Sequence, residues 1–195
     1  MITPSLRRLR SEIERRRSYL KPGAGGRHVD LLIRRMRFAA KRGYLNQSEF
    51  VAIGRTKTLR KSVLLKANTS TKIREVTRFA YSATNEKQRI ERLCTLRGVA
   101  VPRASCLLAW VYPDKWGVID VRAWKVLVHY KAVNTRVEGR NLGPNQWVTY
   151  VKILNELSEA LRVTPRAIDV WLYRHYDDLF PKRRRRKTGW RGCFG

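Results

Sequence analysis

The chain has 195 residues, and its 43 Lys and Arg against 15 Asp and Glu give a net charge of +28. This excess predicts a polyanionic partner, with nucleic acid as the first candidate and an anionic membrane surface as the alternative. A hydrophobic content of 43% excludes a mainly disordered chain, and the length fits one domain or two.

The cysteine count and the hydrophobic pattern exclude several other classes. Cys94, Cys106 and Cys193 are too few for a disulfide framework, and no C-x-x-C pair is present. No apolar stretch approaches the roughly 18 residues of a membrane span, and the first residues lack the apolar core of a signal peptide. We therefore expect a cytoplasmic protein without a membrane segment or a structural metal.

Apolar residues recur at helical spacing through most of the chain, and no alternating runs flank an Asn-Gly turn, so we expect an all-α fold without a sheet. The clearest amphipathic helix runs from Trp147 to Leu161, and Pro165 opens another. The predicted organisation has three parts: a basic N-terminal helix and linker (1–26), a helical domain (27–181) and a basic C-terminal tail (182–195).

Residues 86–111 predict a helical hairpin, with helices at Glu86–Leu96 and Pro102–Val111. Gly98 permits a positive φ in the turn, and Pro102 suits the first turn of the second helix. Backbone N–H groups at such a turn suit a DNA phosphate. An ordinary helical hairpin is the alternative. The expected DNA contacts are Gly98, Val99, Ala100, Val101 and Arg103.

A short apolar segment follows the hairpin and ends at Asp120, with Val121 and Trp124 in the next helix. This unit resembles the helix-hairpin-helix DNA glycosylase superfamily and is most similar to its 8-oxoguanine glycosylase branch. The resemblance covers roughly residues 60–180, and its specific part is the stretch from the hairpin to Asp120. It implies the helical fold of that superfamily, double-stranded DNA as substrate and a flipped nucleotide.

The resemblance implies that Asp120 faces the deoxyribose of the flipped nucleotide. Breaking the N-glycosidic bond builds positive charge on the sugar, and a fixed carboxylate stabilises that charge or orients the attacking water. The alternative is that Asp120 only caps its helix, and both roles are compatible. Asp114 is the second candidate acid, although a Pro-Asp turn often holds a solvated aspartate.

Family members that also cleave the DNA strand carry a nucleophilic lysine early in the second hairpin helix. That place falls on Pro102 here, with Arg103 next. Neither residue can form a Schiff base, so we expect a monofunctional enzyme that uses water and leaves an abasic site. The resemblance further implies a monomer that needs no cofactor, with a monovalent cation as an optional ligand of the hairpin backbone.

Two further assignments come from the resemblance. Asn68 lies in a polar turn before a helix, where a family side chain fills the gap left by the flipped base; a helix cap is the alternative. Asp169 and Tyr173, four residues apart on the C-terminal helix, correspond to residues that contact the base. Tyr173 would stack on the base and Asp169 would accept from an exocyclic amine, unless Asp169 only pairs with Arg166 or Arg174.

Lys57 and Arg60 belong to a basic segment before Asn68 that resembles a basic motif of related small bacterial proteins. The resemblance implies phosphate contacts, with a solvated charge run as the alternative. The expected activity suits DNA repair and equally suits antiviral defence by attack on modified bases of phage DNA. A non-catalytic helix-hairpin-helix DNA-binding protein is the main alternative function. A basic RNA-binding protein is a third, although no recognised RNA-binding module is present.

Overall fold

The computed structural model describes residues 3–20, 26–57, 62–135 and 139–181. These residues contain helices and no strand, which confirms the all-α prediction. One short 3-10 helix (Arg17–Leu20) follows the first α-helix. The α-helices are α1 (Pro4–Arg15), α2 (Gly26–Arg42), α3 (Gln47–Lys57), α4 (Ser62–Lys66), α5 (Ser70–Ser82), α6 (Glu86–Cys94), α7 (Val101–Ala109), α8 (Val121–His129), α9 (Pro144–Leu161) and α10 (Pro165–Leu179).

A single hydrophobic core joins these helices. It lies where α10 packs on α8 and α9, and it continues through α6 and α7 to α3. The helix α7 is apolar on nearly all sides and is buried except at Pro102. Three tryptophans are among the largest fully buried side chains: Trp124, Trp147 and Trp171.

The basic N-terminal helix packs into this same core. Leu6, Leu9 and Ile13 of α1 are buried, and α1 packs against α9. The indole Nε1 of Trp171 donates to the carbonyl of Arg16 at 3.2 Å. Residues 3–20 are therefore part of the helical domain, rather than an arm that stands apart from it.

The hairpin predicted at 86–111 is present, with its helices one or two residues shorter than expected at their ends. Gly98 has φ +78°, which is the positive value that the turn required. Side-chain caps start the neighbouring helices: Asn85 accepts from the Gln88 amide before α6, and Asp120 accepts from the Ala123 amide before α8. The local sequence therefore determines where these helices begin.

The segment between α7 and α8 lies close against α10. At Gly117, an added Cβ would come within 2.7 Å of the Asp169 Cβ and 2.6 Å of a Leu154 methyl carbon. Only glycine allows this approach without displacing its neighbours. The approach brings the Val118 amide within hydrogen-bond distance of Asp169, so it fixes this segment against the helix that forms one wall of the candidate site.

Candidate active site

A cavity of about 560 Å³ opens where α3, α7, α8 and α10 meet. Its volume falls within the range of small-molecule sites in proteins. Both charged and apolar side chains line it: Thr56, Lys57, Pro102, Cys106, Trp110, Val118, Asp120, Val121, Arg122, Arg166, Asp169, Val170 and Tyr173. The sequence-based candidates Asp120, Lys57, Asp169 and Tyr173 therefore share one cavity.

Asp120 lies in the cavity wall as the N-cap of α8, with 17% of its side chain exposed. One carboxylate oxygen, Oδ1, accepts the Ala123 N–H at 2.9 Å. The other, Oδ2, accepts from Lys57 Nζ at 3.2 Å. Two donors on different helices thus hold the carboxylate in one orientation, and the expected cap and the expected place in a pocket are both present.

Lys57 is the last residue of α3 and lines the cavity beside Asp120. Lys57 was predicted to contact DNA phosphates as part of a basic segment. No local sequence pattern connects it with Asp120. Its Nζ forms an ion pair with the carboxylate across the cavity wall. Lys57 is therefore the amine that the structure brings next to Asp120, while Lys115 lies on the surface beside the Tyr112 ring.

Asp169 is buried at 2% exposure, and both of its carboxylate oxygens accept hydrogen bonds from the protein. Oδ1 accepts from the Tyr150 hydroxyl at 3.2 Å, and Oδ2 accepts from the Val118 N–H at 2.9 Å and from Arg166. Burial raises the pKa of this carboxyl, and the positive charge of Arg166 opposes that rise. The alternative in which Asp169 pairs with Arg166 is confirmed.

Arg166 lies in the first turn of α10 with its guanidinium stacked on an aromatic ring. Its Cζ is 4.3 Å from the centre of the Trp110 ring. Trp110 is fixed in turn, because its Nε1 donates to Thr56 Oγ1 at 2.9 Å and that hydroxyl donates to the Ile53 carbonyl. Neither Arg166 nor Trp110 was predicted to be a site residue, and the i, i+3 spacing of Arg166 and Asp169 was the available signal.

Tyr173 lies one turn after Asp169 and is 38% exposed, so its ring is accessible from the cavity mouth. The guanidinium of Arg122 lies 4.8 Å from the centre of this ring and pairs with Asp177 at 3.1 Å. The predicted shared face of Asp169 and Tyr173 is therefore present. The two residues differ in accessibility, and only Tyr173 presents an open surface for stacking.

Only some of the hairpin-turn residues that were predicted to contact DNA are accessible to it. Val99 and Val101 are buried, whereas Ala100 is exposed. Within the described residues, the amides of Gly98 and Ala100 donate to no acceptor, so they are open to a phosphate. The prediction that Arg103 contacts DNA must be corrected. Arg103 is buried, and it donates to the carbonyls of Gly54 and Gly98. Its guanidinium holds the turn against α3 instead of facing DNA.

The monovalent cation expected at this turn would compete with Arg103 for the backbone. The Gly98 carbonyl already accepts from the Arg103 guanidinium, and the Leu96 carbonyl accepts the Val99 N–H at 3.1 Å. A positive side chain thus already lies at one of the carbonyl groups that such a cation would use. The cation remains a prediction for the other carbonyls of the turn.

The prediction that Asn68 fills the gap left by a flipped base must also be corrected. It is 3% exposed, and its Nδ2 donates to the carbonyls of Leu64, Leu65 and Arg97 at 3.0–3.1 Å. Its Oδ1 accepts the Arg97 N–H at 2.8 Å. The side chain therefore ties the segment before α5 to the hairpin turn and is unavailable as a wedge in DNA. It is not the cap of α5 either, since that position belongs to Thr69.

Two of the predicted DNA-contacting parts are not described. Arg60 and the basic tail at 182–195 lie outside the described residues. Their expected DNA contacts therefore stay predictions. In the part of the chain that is described, no group of three or more His, Cys, Asp or Glu is arranged to hold a metal ion. No described helix is long and apolar enough to cross a membrane.

Comparisons with protein-family models, with curated protein sequences and with solved structures found no match. The resemblance to the glycosylase superfamily thus depends on the hairpin, on Gly98 and on Asp120 with the residues that follow it. The function must accordingly be argued from the chemistry of the cavity.

Proposed function

We propose that this protein is a DNA glycosylase that hydrolyses the N-glycosidic bond of a modified or damaged base and leaves an abasic site. The observation that carries the proposal is the position of Asp120. Its partly exposed carboxylate lies in the wall of a base-sized or larger cavity, at the start of the helix that follows the hairpin. A helix cap needs no cavity, and an anion in the binding cavity opposes a polyanionic ligand unless the anion serves the chemistry.

The proposed chemistry requires little from the protein besides this carboxylate. As the bond between base and C1′ breaks, the base leaves with the electron pair and the deoxyribose becomes cationic. A preorganised anion stabilises that cation more than the neutral ground state, which lowers the barrier. Asp120 also accepts a proton from the attacking water, and the water oxygen bonds to C1′. That proton then passes through solvent to the departed base, which neutralises the base and restores the carboxylate. Lys57 and the Ala123 amide hold the carboxylate in place during this step.

DNA binding is proposed to come from charge and from the hairpin. The net charge of +28 favours association with any nucleic acid backbone. The amides of Gly98 and Ala100 supply a position for one phosphate, which orients the duplex with respect to the cavity. The base must leave the stack to reach Asp120, since chemistry at its glycosidic bond requires that exposure. A monomer suffices for these steps.

We further propose that the enzyme is monofunctional. Pro102 lines the cavity at the start of α7. Strand-cleaving members of the glycosylase superfamily that this chain resembles carry lysine at this place. Lys57 is the nearest amine to Asp120, but its Nζ is the cationic donor of an ion pair. Water is therefore the proposed nucleophile. Repair of cellular DNA and removal of modified bases from phage DNA are both compatible with this activity.

The direct test uses a panel of duplexes that each contain one modified base. After incubation with the protein, alkali cleaves the strand wherever an abasic site has formed. Asp120→Asn serves as the inactive control, because the amide oxygen still accepts the Ala123 N–H and preserves the helix cap. Cleavage of at least one duplex by wild type and of none by the variant supports the proposal. Tight binding with no release from any duplex favours the non-catalytic DNA-binding protein.

A further inference from the structure

The guanidinium of Arg166 is held in a fixed plane within the cavity. Trp110 supports one face of it at 4.3 Å, and Asp169 accepts from its Nη1. Trp110 and Asp169 are each anchored by further hydrogen bonds, to Thr56 and to the Val118 amide. Because these partners are themselves fixed, Arg166 loses little further conformational freedom when it binds a ligand.

Most of the hydrogen-bonding capacity of Arg166 is unused. A guanidinium carries five N–H donors in a rigid plane and has no acceptor. Within the described residues, Asp169 is the one hydrogen-bond acceptor that Arg166 contacts. Its side chain is 15% exposed and lines the cavity. These unused donors are not buried, because Ser158 Oγ is the one buried side-chain polar atom without a partner among the described residues. A ligand that displaces water from these donors must therefore supply acceptors in its place.

Asp169, by contrast, has no accessible surface with which to read a base. Tyr150, Val118 and Arg166 occupy its two oxygens, and the residue is almost completely buried. The Gly117 backbone and α10 enclose it from the other side. Asp169 therefore orients Arg166, and the expectation that it accepts from an exocyclic amine finds no support in this geometry.

We propose that Arg166 is the specificity-determining residue of the cavity and selects bases that present two neighbouring hydrogen-bond acceptors. This proposal rests on the proposed function, because it assumes that a flipped base enters the cavity. The O6 and N7 atoms of a guanine-type purine form such a pair, and arginine binds them through two parallel N–H donors. An adenine-type purine has the N6 amine beside N7, so one N–H donor of Arg166 would face another donor instead of an acceptor.

The experiment compares hypoxanthine with adenine, since these purines differ on this edge only in the oxygen or amine at C6. Each is placed in the same duplex opposite an abasic-site analogue, so that no base pair has to open before the purine enters the cavity. Binding is measured at one fixed salt concentration with the Asp120→Asn protein, which prevents turnover. We expect hypoxanthine to bind about 10-fold more tightly than adenine.

Two variants in the Asp120→Asn background locate the source of this preference. Arg166→Lys keeps the charge but loses the planar pair of donors, so the preference should fall to about 1 while affinity for a duplex lacking the base is unchanged. Arg122→Lys is the matched control, because Arg122 lines the same cavity but is paired with Asp177 over the Tyr173 ring. It should leave the preference intact.

The outcomes separate this inference from the proposed function. Equal binding of the two purines by Asp120→Asn overturns the role of Arg166, even if Arg166→Lys fails to fold, and so does a preference that survives Arg166→Lys. A preference lost in Arg122→Lys and kept in Arg166→Lys also overturns it. Base release by the wild-type protein is scored separately, so a cavity that reads purines without chemistry is distinguished from an enzyme that selects by other residues.

Discussion

Lys57 Nζ lies 3.2 Å from Asp120 Oδ2, although the two residues are 63 positions apart in the chain. The contact joins the last residue of α3 to the N-cap of α8. Both side chains are partly exposed and line the same cavity, so the ion pair lies where the proposed nucleotide would meet the protein. Asp120 thus caps α8 and also pairs with a lysine from another helix, a contact that capping does not require.

Asp120→Asn is expected to abolish base release and to leave DNA affinity unchanged or raised. The substitution removes the charge that stabilises the cationic sugar, and loss of one such interaction typically costs about 100-fold to 1,000-fold in rate. Removing an anion cannot weaken the attraction to phosphates. Asp114→Asn is the control, since Asp114 lies exposed in the preceding turn. Near wild-type turnover by Asp120→Asn would mean that another group does the chemistry.

The product is expected to be an intact strand with an abasic site. Borohydride should therefore trap no covalent complex between protein and DNA, because trapping requires an imine between an amine and the opened sugar. Lys57→Arg tests the nearest amine, as arginine preserves the ion pair with Asp120 and cannot form the imine. A trapped adduct in wild type that disappears in Lys57→Arg would identify Lys57 as a nucleophile and refute the monofunctional assignment.

DNA affinity is expected to fall steeply with salt. If six phosphates are neutralised, the logarithm of the binding constant should fall with the logarithm of salt concentration with a slope of about −5. Truncation after Pro181 removes a block of basic residues, so the slope should become shallower while the base that is excised stays the same. Fluorescence anisotropy at several salt concentrations measures the slope. A truncated protein with altered base preference would place the tail at the cavity.

Asn68→Ala is expected to destabilise the protein without a separate effect on base excision. The change removes the side-chain partner of the Leu64 and Arg97 carbonyls and of the Arg97 amide, while the Leu65 carbonyl keeps the backbone N–H of residue 68, at a cost of about 2 kcal/mol. For a chain of this size the midpoint of thermal unfolding should fall by roughly 4–8 °C. A loss of excision with an unchanged midpoint would instead indicate that Asn68 acts on DNA.

Stability is expected to decrease as the pH falls below about 6.5, because of His175. Its ring is buried against Trp171 and within 2.8 Å of the Tyr130 hydroxyl, and burial lowers its pKa from the ordinary 6.5 while Asp178 opposes the shift. The unfolded chain therefore takes up a proton at a higher pH than the folded chain, so protonation favours unfolding. The stability contributed by the neutral His175 ring is complete above pH 6.5. It is lost as the pH falls from 6.5 through the lowered pKa of the folded state.

Thermal unfolding between pH 7.5 and pH 5 measures this dependence. His175→Gln should be less stable at neutral pH and should lose most of the pH dependence in this range. His129→Gln is the control, since His129 is exposed at the end of α8 and should retain it. A midpoint that rises as the pH falls would contradict the assignment.

Features that depend on near neighbours in the chain were predictable from the sequence. The hairpin, the positive φ of Gly98 and the capping role of Asp120 each follow from residues within a few positions. Asn68 and Arg103 were misjudged because their partners lie 29 and 49 positions away, at Arg97 and Gly54. Asn68 follows a basic segment and Arg103 opens an apolar helix, and neither local context predicts the distant backbone groups that the side chain reaches.

The same reasoning explains what the sequence missed in the cavity. Asp169 was correctly placed on one face with Tyr173, because helical spacing determines that relationship. Its burial depends on the approach of Gly117 and on the hydroxyl of Tyr150, which belong to other segments of the chain. Arg166 was recognised only as a possible partner of Asp169. Its stacking on Trp110 is a tertiary contact that no pattern within α10 predicts.

The packing of α1 also affects how the protein folds during its synthesis. Arg16 accepts from Trp171 through its carbonyl and pairs with Asp178, at sequence separations of 155 and 162 residues. At about 5–20 residues per second, α1 is synthesised roughly 8–30 s before these partners exist. Until α9 is made, the apolar stripe of Leu6, Leu9 and Ile13 lacks the helix against which it packs. We therefore expect α1 to complete its packing late, with its surrounding arginines keeping it soluble until then.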